Sequence, residues 1–249
     1  MSDAYAEFAR RYDLFHGEFG RHDPEQVSFF QALFAVHDVH EILDCACGTG
    51  KHLHMFQALG FQVTGSDISP SMLAQARKNL TDEGIEIPLH QVDYRALPEH
   101  FDTCFDAVTC LSSSILHMEN DGQALLALRS MRAVLRQGGI LVLGQGTTDR
   151  QWAEKPRFIL AANTHSFSRL FVIDYLDAGA RYNIVDIHRG GDAEELEVWS
   201  IEYPHILLRD DQRRLLRAAE FSSVEFFGSY RFAPYRKEES KQLIAVAVN

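Results

Sequence analysis

The 249-residue sequence has little of several features that mark particular protein classes. It contains only 4 cysteines, all in its first half, too few for a disulfide scaffold. No apolar run approaches the roughly 18 residues that a membrane-spanning helix requires, so we expect no membrane insertion. Basic residues are also scarce, since 24 Lys and Arg stand against 35 Asp and Glu. The resulting net charge of −11 gives no general attraction for phosphate backbones, and nucleic acid is not an expected partner.

The remaining composition is ordinary for a packed globular protein. Hydrophobic residues make up 46% and charged residues 24% of the chain. There is no internal repeat, and no stretch rich in Pro, Gly or Ser separates two units. The length therefore predicts one large domain, or one domain carrying an insertion. The charged first residues lack the apolar segment of a signal peptide, so a cytoplasmic location is expected.

Residues 1–36 are predicted to be helical. Aromatic residues recur there at helical spacing and form an apolar stripe: Tyr5, Phe8, Tyr12 and Phe15. Asp23 is suited to cap a second helix, because the following Pro24 is favoured in a first helical turn. That helix is expected to run to about Val36.

Between residues 37 and 150, short β-type runs alternate with helical segments. The predicted strands are residues 41–44, 61–66, 87–92, 105–110 and 140–143. The predicted helices are residues 49–59, 69–80 and 121–135, the second capped by Ser69 and the third closed by Gly138 and Gly139. Because βα units of this kind form parallel sheets covered by helices, we predict an α/β fold with a doubly wound, Rossmann-like, mostly parallel sheet.

The alternation of predicted strands and helices stops after residue 150. The strand candidates there have no helix between them and are joined by hairpin-type turns; they are residues 170–176, 181–188 and 196–203. They predict an antiparallel sheet, inserted into the parallel one or laid over it. A helix over 210–219 and strands over 224–227 and 243–248 would complete the main sheet. The predicted divisions are an N-terminal helical lid (1–36), an α/β core (37–150), an inserted sheet (151–207) and a closing segment (208–249).

The most informative segment covers residues 42–53. A predicted strand ends at Asp44 and turns through Gly48 and Gly50 directly into a helix. Glycines there let the backbone approach a ligand that a Cβ atom would exclude, and the helix N-terminus favours a carboxylate. At the tip of the next strand, Asp67 is suited to accept hydrogen bonds from both hydroxyls of a ribose. This order of elements predicts a nucleoside-binding site.

Each part of this pattern has a simpler structural explanation. A single glycine-rich turn before a helix is a weak signal, and Asp67 alone could cap the helix that follows it. A dinucleotide site is a further alternative, but it needs Gly-x-Gly-x-x-Gly so that the helix can receive a pyrophosphate. The residue three positions beyond Gly50 is Leu53, which disfavours that interpretation.

At these residues the sequence resembles the class I S-adenosylmethionine-dependent methyltransferases. Residues 44–50 are similar to the first motif of that family, Asp/Glu-x-Gly-x-Gly-x-Gly, with Ala46 in place of the first glycine. Similarity to the later motifs lies at residues 65–72, 92–94, 105–110 and 135–142. The resemblance implies S-adenosylmethionine as cofactor, S-adenosylhomocysteine as product, and residues 37–150 as the cofactor-binding core.

The resemblance also implies roles for single residues. Asp67 would bind the ribose, Ile68 would lie against the adenine, and Asp93 would accept a hydrogen bond from the adenine amino group. The full set of implied cofactor-binding residues is Tyr12, Asp44, Ala46, Cys47, Gly48, Gly50, Asp67, Ile68, Met72, Asp93, Tyr94, Cys110 and Leu111.

A narrower likeness is to the glycine N-methyltransferases and the amino-sugar N,N-dimethyltransferases. It is carried by residues 12–13, 44–50, 111–117, 199–205 and 232–235. In both groups an N-terminal tyrosine closes over the cofactor, and an inserted sheet helps to build the acceptor site or the oligomer interface. The expected function is methyl transfer to a small molecule, at an amine nitrogen of a glycine- or sarcosine-like acceptor. The alternatives are an amino sugar or other small metabolite as acceptor, and a cofactor-binding module without turnover.

Methyl transfer from a sulfonium is an in-line displacement, so the protein has mainly to position the acceptor and exclude water. An amine must arrive neutral, which needs at most a mild base. His117 is the candidate base and Tyr12 the candidate lid, and the structural alternative for both is a packing role. The candidate acceptor-binding residues are Arg21, Ser112, Ser113, Tyr203 and Tyr235.

Two further expectations concern metals and partners. Cys45 and Cys47 have no second cysteine pair nearby, which is poor spacing for zinc, and no metal is predicted. Exposed strand edges in the inserted sheet would suit a homodimer. The expected partners are therefore a small-molecule acceptor and a second copy of the chain.

Overall fold

The computed structural model describes residues 9–12, 19–102, 104–190 and 195–249. The helices are α1 (Ala9–Tyr12), α2 (Pro24–Val36), α3 (Lys51–Ala58), α4 (Pro70–Asp82), α5 (Asp121–Ala133), α6 (Asp149–Glu154) and α7 (Arg209–Ala218). The strands are β1 (Glu41–Asp44), β2 (Gln62–Asp67), β3 (Leu89–Gln91), β4 (Phe105–Cys110), β5 (Leu135–Gln145), β6 (Phe158–Asn163), β7 (Phe167–Tyr175), β8 (Ala180–His188), β9 (Glu195–Tyr203), β10 (Ser223–Phe227) and β11 (Leu243–Val248). Of the predicted N-terminal aromatic stripe, Tyr5, Phe8 and Phe15 lie outside the described residues.

The main sheet has 7 strands in the order β10-β11-β5-β4-β1-β2-β3. Strands β1 to β5 pair in parallel, whereas β11 runs antiparallel to both β5 and β10. Because β1 lies between β2 and β4, the winding of the chain reverses there, and a crevice opens at the carboxyl ends of these strands. The predicted doubly wound, mostly parallel α/β fold is confirmed.

A second sheet of 4 strands is antiparallel throughout, in the order β6-β7-β8-β9. Three of its strands correspond to the predicted hairpin-connected run, but β6 is not predicted. The sequence of β6 is a short apolar run without polar alternation, which does not by itself distinguish a strand from a helix segment. In the structure its register shifts between Leu160 and Ala162. Within the chain the sheet lies between α6 and α7, so the polypeptide leaves the main sheet after β5 and rejoins it at β10.

The pair Gly138 and Gly139 corrects one predicted boundary. The sequence suggests that they close the helix before them, but α5 ends at Ala133 and both glycines lie inside β5. Gly138 has a φ of 74°, and a Cβ on Gly139 would lie 2.9 Å from the carbonyl oxygen of Asp106. The glycines therefore allow an irregular backbone within a long strand, and they do not end a helix.

Two predicted helix starts are confirmed by their caps. The Oδ1 atom of Asp23 accepts a hydrogen bond of 2.9 Å from the backbone N–H of Glu25 at the start of α2. The Oγ atom of Ser69 accepts one of 3.1 Å from the backbone N–H of Met72 at the start of α4. In the part of the chain that the structure describes, no helix is both long and apolar enough to cross a membrane.

Helices cover both faces of the main sheet. On one face α5 and α7 contribute Leu128 and Leu216 to a buried cluster. On the other face α2, α3 and α4 contribute Phe34, Phe56 and Leu80. Burial on both faces makes the sheet a rigid platform, and the loops at its carboxyl edge are held in place by it.

Candidate functional site

Two cavities adjoin at the carboxyl edge of the main sheet. The first, here the strand-edge cavity, has a volume of about 520 Å³ and is lined by loops that follow β1, β2, β3 and β4. The second, here the second-sheet cavity, has a volume of about 590 Å³ and lies against β6 to β9. Both are lined by a common set of residues, here the junction: Tyr12, Ser112, Ile201 and Tyr203.

The glycine-rich turn after β1 forms part of the strand-edge cavity. Gly48 and Gly50 have φ values of 53° and 88°, which are left-handed conformations that glycine adopts without strain. The backbone N–H of Gly48 donates a hydrogen bond of 2.9 Å to Oδ2 of Asp67. The other carboxylate oxygen of Asp67 accepts one of 2.9 Å from the N–H of Ser69. The tip of β2 thus presents a carboxylate fixed by two backbone amides.

Asp44 is the last residue of β1 and directly precedes this turn. It is fully buried and accepts a hydrogen bond of 2.9 Å from the hydroxyl of Thr109 on β4. Burial raises the pKa of Asp44 to about 7, although the Thr109 hydroxyl acts to lower it, and the negative charge of Asp67 adds to the rise. Its second oxygen, Oδ2, has no hydrogen-bond partner among the described residues. Asp44 is therefore a buried acceptor behind the cavity wall.

Asp93 lies in the same cavity, and Arg95 holds its carboxylate. The guanidinium of Arg95 donates to both oxygens of Asp93 over 2.5 to 3.1 Å, and the backbone N–H of Arg95 adds a bond of 2.9 Å. Burial acts to raise the pKa of Asp93, but the hydrogen bonds from Arg95 outweigh it and leave that pKa below its usual value. Asp93 therefore stays charged at neutral pH, with a fixed orientation.

The junction is surrounded by aromatic groups. The Tyr203 hydroxyl bonds to Ser113, and burial raises the pKa of Tyr203 well above its usual range. The ring of His117 lies with its centroid 5.1 Å from that of Tyr203. Burial lowers the pKa of His117 to about 4, so the imidazole is neutral at pH 7. The space between the cavities is thus walled by neutral groups.

Comparison with known proteins agrees with this geometry. Residues 42–139, which carry the strand-edge cavity, match the family described as Methyltransferase domain. The chain is 30% identical over 209 residues to the glycine/sarcosine N-methyltransferase of Parasynechococcus marenigrum (strain WH8102), covering 82% of this chain and 70% of the relative. The chain belongs to the class I S-adenosylmethionine-dependent methyltransferases.

Solved structures share the fold of this methyltransferase. An S-adenosylmethionine-dependent methyltransferase from Clostridium acetobutylicum ATCC 824 superimposes with a TM-score of 0.80 at 16% identity, covering 98% of each chain. An amino pentose methyltransferase from Micromonospora echinaspora superimposes with a TM-score of 0.73 at 20% identity, covering 100% of this chain and 99% of the other. Both likenesses extend beyond the main sheet, since they cover nearly the whole chain.

The strand-edge cavity of the methyltransferase fits an S-adenosyl group. It combines a glycine turn that leaves room for a ligand, the fixed carboxylates of Asp67 and Asp93, and the side chain of Ile68, which is 47% exposed. The predicted cofactor residues that line it are Tyr12, Ala46, Gly48, Asp67, Ile68, Met72, Asp93 and Tyr94. The other predicted ones are buried outside its lining: Asp44, Cys47, Gly50, Cys110 and Leu111.

Two consecutive serines after β4 have unusual backbone conformations in the methyltransferase. Ser112 and Ser113 have φ values of 55° and 68°, in the left-handed region that is uncommon for residues other than glycine. The backbone N–H of Ser113 donates 2.8 Å to the carbonyl of Gly144 on β5, which holds the turn. Such strain costs of order 1–3 kcal/mol per residue and is concentrated at functional sites. It is a signal of function that the sequence does not display.

The structure separates the predicted acceptor-binding residues into two groups. Ser112, Ser113 and Tyr203 line the second-sheet cavity. Arg21 is exposed and lines neither cavity. The hydroxyl of Tyr235 is instead engaged by Asp149 at the start of α6, donating to its Oδ2 atom over 2.8 Å and accepting from its N–H over 2.9 Å. Tyr235 therefore anchors α6 and does not line the acceptor side.

Sequence reasoning missed several residues of the site. Arg95 follows the predicted Asp93 closely, yet its side-chain direction is not readable from a loop sequence. Tyr182 lines the second-sheet cavity, and its hydroxyl accepts a hydrogen bond of 2.8 Å from Gln151 and lies 3.1 Å from Oγ1 of Thr147. Tyr182 and Tyr203 belong to predicted strands, in which every second side chain faces the same side of the sheet. Only the observed packing shows which of the two sides faces the cavity.

Proposed function

We propose that this methyltransferase methylates the nitrogen of a small-molecule amine. The observation that carries the proposal is the pair of adjoining cavities, one with two fixed carboxylates suited to a nucleoside, the other suited to an acceptor, with a shared uncharged junction. The names of the relatives support it, since the Parasynechococcus marenigrum protein is a glycine/sarcosine N-methyltransferase. When bound, S-adenosylmethionine supplies an electrophilic methyl group that a neutral amine nitrogen can displace.

Different residues of the chain would bind the cofactor, exclude water and accept the amine proton. Asp67 and Asp93 would hold the ribose and the adenine amino group, with Gly48 leaving space beside them, while Tyr12 at the junction would exclude water. The neutral walls of the junction disfavour an ammonium ion, which lowers the pKa of a bound amine and favours the reactive neutral form. His117 is unprotonated at pH 7 and is proposed as the acceptor of the amine proton.

The test is release of S-adenosylhomocysteine from S-adenosylmethionine across a panel of amines. Glycine, sarcosine, dimethylglycine, small alkyl and aromatic amines and nucleotide amino-sugars would be supplied at equal concentration, and the methylated atom identified by NMR. Transfer to nitrogen in any of them is the expected result. Methylation at oxygen or carbon would contradict the proposal. So would cofactor binding without turnover of any amine, which would favour the non-catalytic alternative.

Residue ranges would serve this function in different ways. We propose residues 1–36 as a lid that opens for cofactor exchange, residues 37–150 as the cofactor-binding core, residues 151–207 as the acceptor region and residues 208–249 as the segment that completes the core. A cytoplasmic location is proposed because the four cysteines are free, which suits a reducing compartment. The absence of a nucleic-acid partner is proposed on the net charge of −11.

We also propose that two copies associate through the outer face of the second sheet. Large apolar side chains there are at least 60% exposed: Phe158, Leu160, Leu196 and Val198. They belong to β6 and β9, the two edge strands of that sheet, so the apolar surface extends across its width. An exposed apolar surface of this kind marks an interaction site, and a second copy would cover it symmetrically.

A further inference from the structure

The inner wall of the second-sheet cavity is a continuous apolar surface. Ile159 on β6 pairs with Phe171 on β7, and Phe171 pairs with Ile184 on β8, so the three side chains form one row across the sheet. Tyr182 pairs with Ile201 on β9 and starts the adjacent row. All five line the cavity. Because successive residues of a strand face opposite sides, this row is turned towards the cavity while Phe158 and Leu160 face away from it.

The size of the cavity also argues for a large ligand. A volume of about 590 Å³ lies within the roughly 300–1,000 Å³ that is typical of sites for drug-sized molecules. Glycine has five non-hydrogen atoms and would leave most of this apolar wall in contact with water. Cavity size and wall chemistry therefore favour an acceptor with an apolar body.

The charges around the cavity argue against a carboxylate next to the reacting nitrogen. The junction residues that the structure describes, Tyr12, Ser112, Ile201 and Tyr203, are all uncharged. In glycine and sarcosine the carboxylate is one carbon away from the nitrogen, so it would lie at this junction without a cationic side chain among the shared residues to pair with. Placing an unpaired carboxylate in such surroundings is unfavourable.

Basic side chains do occur among the described lining residues of each cavity. In the second-sheet cavity, Arg150 is paired with Glu154 at 2.9 Å and its side chain is 40% exposed, and Lys241 is exposed. Arg95 lines the strand-edge cavity and is held by Asp93. None of these cations is among the residues shared by the two cavities.

We propose that the acceptor is an amine bearing an apolar or aromatic body, and that glycine and sarcosine are poor acceptors. This proposal rests on the proposed function. The nitrogen lies at the junction, the body covers the row formed by Ile159, Phe171 and Ile184, and the fixed hydroxyl of Tyr182 lies within reach of a polar substituent on that body. Specificity then comes from the second sheet, while the main sheet supplies the cofactor site.

Four amines that separate size from charge provide the test. Ethylamine is small and lacks a carboxylate, glycine is small and has one, 2-phenylethylamine is large and lacks one, and phenylalanine is large and has one. With saturating S-adenosylmethionine, we expect kcat/KM for 2-phenylethylamine to exceed that for ethylamine and glycine by about a hundredfold, since an apolar ring is buried. Phenylalanine should fall below 2-phenylethylamine. Equal or higher kcat/KM for glycine would overturn the proposal.

A binding measurement separates this proposal from the proposed function. 2-Phenylethylamine would be titrated calorimetrically into the protein loaded with S-adenosylhomocysteine. Binding without turnover of any of the four amines would retain the apolar acceptor cavity and count against the proposed N-methylation. Absence of binding, with or without turnover of glycine, would overturn the apolar acceptor cavity itself.

A variant of the cavity wall and an exposed position of the same sheet form a matched pair. Ile159→Gln places an amide on the cavity wall, and Leu176→Gln places one directly after β7, where the side chain is 43% exposed and lines neither cavity. We expect Ile159→Gln to raise the KM for 2-phenylethylamine about tenfold without changing that for ethylamine. Phe171→Ala should act in the same direction. Equal effects of Ile159→Gln and Leu176→Gln would contradict the proposal.

Discussion

The two cavities are built in different ways. The strand-edge cavity is formed by loops at the ends of parallel strands, and several of its contacts join a carboxylate to a backbone amide of the same short segment, such as Asp67 with Ser69. One wall of the second-sheet cavity is formed by alternate side chains of four consecutive antiparallel strands. A short motif can therefore identify the first cavity, whereas only the register of the strands assembles the second.

The largest expected effect of a single change is on the strand-edge side. Asp67→Ala should weaken the binding of S-adenosylhomocysteine by about 1–3 kcal/mol, because hydrogen bonds to a charged group are lost. Isothermal titration calorimetry measures this directly. Asp82→Ala is the matched control, since Asp82 pairs with Lys78 at the far end of α4. If Asp67→Ala binds as tightly as the control, Asp67 does not hold the cofactor.

A change at His117, whose ring contacts that of the junction residue Tyr203, should affect turnover more than cofactor affinity. His117→Ala should lower kcat about tenfold or more if His117 accepts the amine proton, because proton transfer to a positioned group speeds such reactions. Cofactor affinity should stay near that of the exposed-site control His100→Ala. A purely structural role would give the opposite pattern, with a lower Tm and an unchanged kcat.

A further expected effect concerns the pH dependence of stability through Asp44, which directly precedes the glycine turn. Its folded pKa of about 7 lies above the ordinary 3.8, so the folded protein binds more protons than the unfolded chain in this range. The wild-type residue therefore costs stability as pH rises from about 4 to 7. In the cofactor-free protein, Asp44→Asn should raise the Tm relative to wild type at pH 8, and the gain should vanish near pH 4. Thermal unfolding across this range measures it.

Asp106 provides a control of opposite sign. Burial acts to raise its pKa, but hydrogen bonds from Arg136 and from the backbone N–H groups of His40 and Glu41 outweigh this and leave the pKa below its usual value. Its charged form therefore stabilises the fold above the ordinary pKa, so Asp106→Asn should lower the Tm at pH 8. Differences that do not change with pH in either variant would show that neither carboxyl titrates as described.

The contrast between the cavities also explains what the sequence could predict. Local signals identify the βα alternation, the caps Asp23 and Ser69, and the glycine turn, because each depends on neighbouring residues. The left-handed conformation of Ser112 could not be predicted, since it depends on tertiary contacts of the following residue with β5. The sequence resemblance predicts Tyr235 on the acceptor side, but its hydroxyl bonds to Asp149, which is distant in the chain.

The placement of β6 to β9 in a separate sheet has a consequence for divergence within the family. Substitutions at inward-facing positions such as Phe171 and Ile184 alter the wall of one cavity, yet they leave the hydrogen bonds that fix Asp67 untouched. Under the proposed assignment of this cavity to the acceptor, a few strand substitutions would change the acceptor while the cofactor site is retained. Descendants of one ancestral chain could in this way share a nucleoside site and differ in the molecules they methylate.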